Sequence, residues 1–152
     1  MMEKTPLTNE RIYFTLRDET AKLPTRATDG SAGYDLYAAG QYTVRVPAGE
    51  QMLIKTGVSI SLPKGYEAQV RPRSGMALKH RVTVLNSPGT IDSDFRNEIG
   101  VLLMNHGVGA FEVRPGDRIA QLVIAKYEVI PWIEVDVLDE TQRKGGWGST
   151  GR

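Results

Sequence analysis

The sequence contains no cysteine. Disulfides, thiolate zinc sites and thiol nucleophiles are therefore excluded. Histidine is scarce as well: His80 and His106 are the only two, and their spacing is not that of a metal site. Each reads as a turn or surface residue. No apolar run approaches the ~20 residues of a membrane-spanning helix, and MMEKTPLTNE at 1–10 carries no apolar signal-like stretch. An excess of one charge is missing too. Nineteen Lys and Arg stand against 18 Asp and Glu, a formal net charge of +1. Strong attraction to nucleic acid or to an anionic membrane is not expected. The phosphate-loop pattern GxxxxGKS/T, the nucleophile elbow GxSxG and the zinc-protease pattern HExxH are all absent. The expectation is a soluble, cytoplasmic chain without nucleic-acid or membrane partners. Its 152 residues suit one domain with a sizeable core rather than two.

What is present favours strands. Val, Ile and Thr total 34 against 23 for Ala and Leu, and 16 Gly and 8 Pro are spread along the chain. β-Branched residues with frequent Gly/Pro punctuation specify short strands and tight turns. Ile12, Phe14 and Leu16 alternate with polar or amphipathic residues, the period of a half-buried strand. Further strands are predicted at 33–38, 42–46, 51–62 (with Gly57 as a bulge), 65–73 and 81–85. Others are predicted at 99–105, after Asn105-His106-Gly107, after Pro115-Gly116-Asp117, and at 129–138. IGVLLMN at 99–105 is nearly continuous apolar and reads as deeply buried. Pro131 marks the last as an edge strand. GMALKH at 75–80 is the one plausible helical turn. About ten strands with almost no helix predict an all-β jelly roll, sandwich or barrel. Residues 139–152, DETQRKGGWGSTGR, read by composition as a flexible arm separate from a β domain at 1–138. Trp147 between two glycines would make that arm a lid able to stack on a flat ligand.

The chemistry is carried by loops. Arg71-Pro72-Arg73-Ser74-Gly75 puts guanidinium, hydroxyl and free amides together at a strand end. That is an anion site, or equally a surface arginine beside a helix-capping serine. Asp92 and Asp94, two apart, share a face if the segment is extended, with Ile91 and Phe95 on the other. They form a general base and its partner, a cation site, or simply a solvated polar face. Asp35, between Tyr34 and Leu36, admits the same readings. Gly116-Asp117-Arg118 most simply makes a turn with a local ion pair. Gln121 lies among apolar neighbours and needs a partner if buried.

In order, AGYDLYA (32–38), RPRSGMA (71–77), NSPGTIDSDFRNEIG (86–100), PGDRIAQLV (115–123) and GGWGSTG (145–151) resemble the five motifs of the trimeric deoxyuridine triphosphatase (dUTPase) family. The resemblance runs from about residue 12 to the C-terminus. It implies a β jelly roll assembled as a homotrimer, with active sites at subunit interfaces. It also implies hydrolysis of dUTP to dUMP and pyrophosphate with Mg²⁺ held mainly by triphosphate and water, with no direct protein ligand. Such activity limits uracil incorporation into DNA and supplies dUMP for thymidylate synthesis. By the same resemblance, Asp92 is the carboxylate that deprotonates the attacking water. Asn86, Gly89, Thr90 and Ile91 belong to the hairpin that reads uracil, Phe95 lies under the deoxyribose, and Gly100 gives room beneath the base. Arg73, Ser74, Gly75 and Gln121 meet phosphate, and Asp35 supports the metal's water shell. Trp147, Gly148, Ser149 and Thr150 form the arm that closes on the nucleotide. Three positions depart from the family pattern: Phe95 for tyrosine, Trp147 for phenylalanine, and Gln142 for an arginine whose γ-phosphate contact Arg143 takes over. A dCTP deaminase of the same fold is the enzyme rival, and a nucleotide-dependent regulatory or binding module is the non-enzyme one. Asp92 and Arg73-Ser74-Gly75 favour the triphosphatase.

Overall fold

The computed structural model describes residues 11–147. Among these lie eleven strands and one short helix: β1 Tyr13–Leu16, β2 Gly33–Tyr37, β3 Val44–Val46, β4 Gln51–Lys55, β5 Val58–Ser61, β6 Tyr66–Arg71, α1 Ser74–His80, β7 Val82–Val84, β8 Gly89–Ile91, β9 Gly100–Asn105, β10 Phe111–Val113 and β11 Arg118–Lys126. The strands form small antiparallel sheets, ordered β2-β11-β6-β8, β4-β9-β7, β1-β5 and β10-β3. Their inner faces meet in one core that includes Leu36, Val46, Ile54, Val58, Leu103 and Ile119. This is the expected all-β jelly roll. Its helix falls where Ala77, Leu78 and Lys79 supply good helix formers. It ends at Arg81, in the left-handed region at φ 56.

Gly57 is a corner rather than a bulge. Its φ of +69 breaks the 51–62 run into β4 and β5, which enter different sheets. A Cβ there would lie 2.4 Å from Ala21 Cβ, so only glycine fits. Thr56, fully buried, ties the corner down by donating to the Ile99 carbonyl at 2.6 Å.

Three expectations about burial are corrected. β9 is not buried throughout. Val101, Leu103 and Asn105 point inward, while Leu102 and Met104 point out as the strand period requires. They join Leu53, 64% exposed, on an apolar outer face. Ile12, Phe14 and Leu16 are exposed, because among the described residues β1 pairs with β5 alone and none covers that side. With Leu23, Tyr34 and Leu122, Ile12 and Phe14 border an apolar groove of about 370 Å³. Finally, residues 129–138 form no strand. Val129, Ile130, Trp132, Ile133, Val135, Val137 and Leu138 are all exposed, so this run finds no pairing edge among the described residues.

Candidate active site

Antiparallel register brings three of the singled-out segments side by side. Gln121 of β11 stands opposite Asp35 of β2 and opposite Arg71 of β6. Directly opposed residues share a face. These three lie on the side away from the core, because Leu36, Leu122 and Val70 take the other side. Gly33, one strand period from Asp35, leaves room for Gln121. A Cβ at Gly33 would sit 3.2 Å from Gln121 Oε1 and 3.3 Å from its Cβ and Cδ.

Asp35 is buried, and its carboxylate faces two guanidiniums. Arg73 Nε lies 3.4 Å from Oδ1 and Arg118 Nη1 lies 3.7 Å from Oδ2. Arg73 Nη1 also donates to the Arg118 carbonyl at 3.0 Å. Arg71 is engaged elsewhere: its Nη2 donates to Gln69 Oε1 at 2.7 Å, and Gln69 Nε2 donates to Glu67 at 2.6 Å. Of the two motif arginines, Arg73 is therefore the one tied to Asp35. Ser74 and Gly75 follow it, exposed, at the start of α1. Arg73 occupies the N-cap position in extended conformation, so Ser74 is not the cap.

The expected local pair of Asp117 with Arg118 does not form. Asp117 Oδ2 instead accepts from the Arg114 backbone N–H at 2.8 Å, closing the turn around Gly116 (φ +85). A register shift between Arg118 and Ala120 accounts for the change. Without the irregularity, Arg118 and Gln121, three apart, would point to opposite faces. With it, Arg118 stands opposite Tyr37 and Gln121 opposite Asp35, which share one face. Arg118 is thus a member of this cluster that the sequence did not reveal. No short-range signal marks such a shift.

The second cluster is the hairpin from β7 through β8 to residue 95. Ser87-Pro88 is a cis peptide bond, and the Ser87 hydroxyl donates to the Val84 carbonyl. Gly89 is buried, and a Cβ there would come within 3.2 Å of Asn86 Nδ2 and 3.3 Å of Val70 Cβ. The small residue lets the Asn86 amide fold over the strand. Thr90 is exposed opposite Gln69, and Ile91 packs against the core. Beyond β8 the chain turns, with the Phe95 N–H donating to the Asp92 carbonyl at 3.1 Å. The 91–95 segment is therefore not extended throughout. Even so, Asp92 and Asp94 are exposed while Ile91 and Phe95 are half-buried, the division of faces expected from the sequence. The Asp92 carboxylate carries no hydrogen bond or ion pair among the described residues, so its lone pairs stay open to solvent. It borders a polar cleft of about 730 Å³ with Tyr13, Lys64, Asp94, Arg96 and Tyr127.

Gly100 lies elsewhere, opposite Lys55 at the start of β9. A Cβ there would meet Leu53 Cδ1 at 2.7 Å, so the space it leaves is filled by that side chain. Arg143 donates only locally, to the Gly145 carbonyl at 3.3 Å, and Trp147 is fully exposed. Gly148, Ser149 and Thr150 lie outside the described residues. Arg73 and Arg118 border a separate cleft of about 240 Å³, with His80, Phe111 and Asp117. It shares no lining residue with the cleft of Asp92. One chain thus assembles Asp35, Arg73, Arg118 and Gln121 in one place and the Asn86–Phe95 hairpin in another. No group of three or more His, Asp or Glu side chains able to hold a metal ion occurs among the described residues. No helix among them is long and apolar enough to cross a membrane.

Fold and clusters define an all-β protein with two arginines gathered around a buried carboxylate and, apart from them, an accessible carboxylate on a glycine-tightened hairpin. Comparison with known proteins narrows that class. The sequence model of the dUTPase family matches residues 19–151. The chain is 53% identical over 137 residues to the deoxyuridine 5'-triphosphate nucleotidohydrolase of Rickettsia typhi, covering 90% of this chain and 93% of the relative. It is 56% identical over 131 residues to the enzyme of the same name from Rickettsia bellii, covering 86% and 87%. The dUTPase of Staphylococcus bacteriophage 80alpha, solved with dUPNHPP, superimposes with a TM-score of 0.85 at 26% identity over 94% of this chain and 99% of that one. A mutant dUTPase from phage phi11 of S. aureus, whose structure describes a coordinated structural Mg(II) ion, gives 0.77 at 25% identity, covering 84% and 97%. This chain belongs to the dUTPase family. A deaminase of the same fold is not favoured.

Proposed function

We propose that the chain hydrolyses dUTP to dUMP and pyrophosphate, with Asp92 as the general base. The observation that carries the reading is the hairpin. It presents an exposed carboxylate, unpaired among the described residues, immediately after backbone that Gly89 brings close to Asn86. Asp92 takes a proton from water, and the water oxygen attacks the α-phosphorus. The bond from the α-phosphorus to the bridging oxygen breaks, and pyrophosphate leaves with the electron pair. Backbone donors and acceptors at 89–91, with the Asn86 amide, pair with uracil. Cytosine, with a donor in place of the O4 acceptor, leaves a polar group unpaired and is rejected. Phe95 packs under the sugar.

Arg73, Ser74, Gly75 and Gln121 receive the phosphates. Mg²⁺ neutralises the triphosphate when bound. The donor set fits a cation held by phosphate and water, since Asp35 is already occupied by two guanidiniums. Asp35 therefore acts on the phosphates chiefly through Arg73. Residues 139–152 serve as an arm distinct from the 1–138 β domain. Trp147 stacks on uracil, and Arg143, Gly148, Ser149 and Thr150 reach the terminal phosphate.

The active unit is a homotrimer with shared sites. Three features support this: the two halves of the site open into different clefts, the outer face around Leu53 is apolar, and the apolar run 129–138 finds no partner among the described residues. A second copy can supply all three. The test is pyrophosphate release with Mg²⁺ from dUTP, dTTP, dCTP and UTP. Release from dUTP alone supports the reading. Equal release from all four contradicts the uracil assignment, and ammonia release from dCTP contradicts the reaction.

A further inference from the structure

We propose that Arg118 is a positioning residue for phosphate recognition: it neutralises Asp35, so that Arg73 keeps its positive charge for the substrate. The inference rests on the activity proposed above and extends it to a residue with no assigned role.

Asp35 is the pivot. Its side chain is only 10% exposed, so its charge must be balanced inside the protein. If Arg73 were the sole partner, the two charges would cancel. An incoming polyphosphate would then compete with Asp35 for a guanidinium already satisfied. Arg118 changes that balance. Each carboxylate oxygen faces a different arginine, Oδ1 towards Arg73 and Oδ2 towards Arg118. Two guanidiniums against one carboxylate leave the cluster with a net positive charge.

Geometry fixes where that charge is offered. Arg73 directs Nε at Asp35 and one Nη1 hydrogen at the Arg118 carbonyl. A guanidinium has five N–H donors. The second Nη1 hydrogen and both on Nη2 remain for an anion, the edge suited to bidentate phosphate contact. Arg118 thus acts twice, through its side chain on Asp35 and through its carbonyl on Arg73. The carbonyl contact does not depend on the side chain, so replacing the side chain isolates the charge effect. Arg118 is also half-exposed at the first position of β11, where truncation removes little packing.

The experiment measures KM and kcat for dUTP by pyrophosphate release and, independently of turnover, the affinity for inorganic pyrophosphate by calorimetry. Arg118→Ala is expected to raise KM and weaken pyrophosphate binding about tenfold, the scale of one charge-assisted contact. Its kcat should stay within about threefold of wild type, because Asp92 is untouched. Arg118→Lys, which keeps the charge, should retain most of the affinity. The discriminating variant is Asp35→Asn combined with Arg118→Ala. With no carboxylate left to cancel Arg73, it should bind pyrophosphate more tightly than Arg118→Ala alone. A merely structural role predicts the reverse, with damage accumulating. Unchanged KM and pyrophosphate affinity in Arg118→Ala, or a double variant that binds pyrophosphate no more tightly than Arg118→Ala alone, overturns the proposal. Should Arg118→Ala fail to fold, Arg118→Gln keeps the stem and carries the same expectation. If wild type bound pyrophosphate but released none from dUTP, the activity reading would fail, while the calorimetric comparison would still decide the role of Arg118.

Discussion

Gly33→Ala tests whether Gln121 works from the seat that the neighbouring strand gives it. The added methyl would lie 3.2 Å from Gln121 Oε1 and 3.3 Å from its Cβ and Cδ. Carbon atoms prefer about 3.5–4.0 Å, so the neighbour must yield by a few tenths of an ångström. The Gln121 Cβ is fixed by strand β11, and the carboxamide beyond it is the part free to rotate away. The backbone at Gly33 is ordinary strand, so alanine brings no conformational strain and the fold should persist. If the carboxamide then misses the phosphate, one hydrogen bond to a charged group is lost, about 1.5–3 kcal/mol. That corresponds to a fall in kcat/KM of roughly tenfold to a hundredfold. The assay is initial-rate pyrophosphate release from dUTP, with melting temperature as the fold control. Gln121→Ala should show a similar loss. The double variant should be little worse than Gln121→Ala alone, because both remove one contact. Full activity in folded Gly33→Ala, or losses that add in the double variant, would refute the reasoning.

Three further outcomes follow from the same arrangement. Mixing two inactive variants, Asp92→Asn and Arg73→Ala, under conditions of subunit exchange should restore about a quarter of wild-type turnover, since neighbouring chains then rebuild some intact sites; no recovery would place both residues in one chain's site. Removing residues 141–152 should leave the β domain folded and cost most of the turnover, because the described bonds of 141–147 are local ones such as Arg143 N–H to Thr141 Oγ1; circular dichroism and the rate assay check the two halves separately. In a Trp132→Phe background, Trp147 fluorescence should shift when dUPNHPP saturates the protein. Trp147→Ala should raise KM roughly fivefold to a hundredfold, from the ~1–3 kcal/mol of a base–aromatic stack.

Much of this was legible in the sequence because each strand carries its own signal. The alternation in 81–85, the helix formers after Ser74 and the turn at Pro115-Gly116-Asp117 all act locally, and the fold uses them where they stand. What escaped were features set by tertiary pairing. Gly57 looked like a bulge inside one strand, yet its positive φ sends the halves to different sheets. VIPWIEVDVL has strand composition, but a strand needs an edge, and the described residues offer it none. IGVLLMN is apolar on both faces, yet only one face is core. Within the site, Asp35, Arg73 and Gln121 were singled out one by one and the register brings them together. Residue spacing points Arg118 at its sequence neighbour Asp117, because the irregularity in β11 that turns it towards Asp35 leaves no mark on that spacing.

The most direct measurement compares wild type and Asp92→Asn in two assays at once: pyrophosphate release from dUTP with Mg²⁺, and binding of dUPNHPP. The Asp92 carboxylate has no partner among the described residues, so the isosteric amide should leave the hairpin folded. The prediction is a loss of turnover of about a hundredfold or more, the scale of general-base removal, with dUPNHPP affinity kept within a few-fold. Turnover that persists in Asp92→Asn would contradict the assignment of the base and, with it, the mechanism drawn for this hairpin.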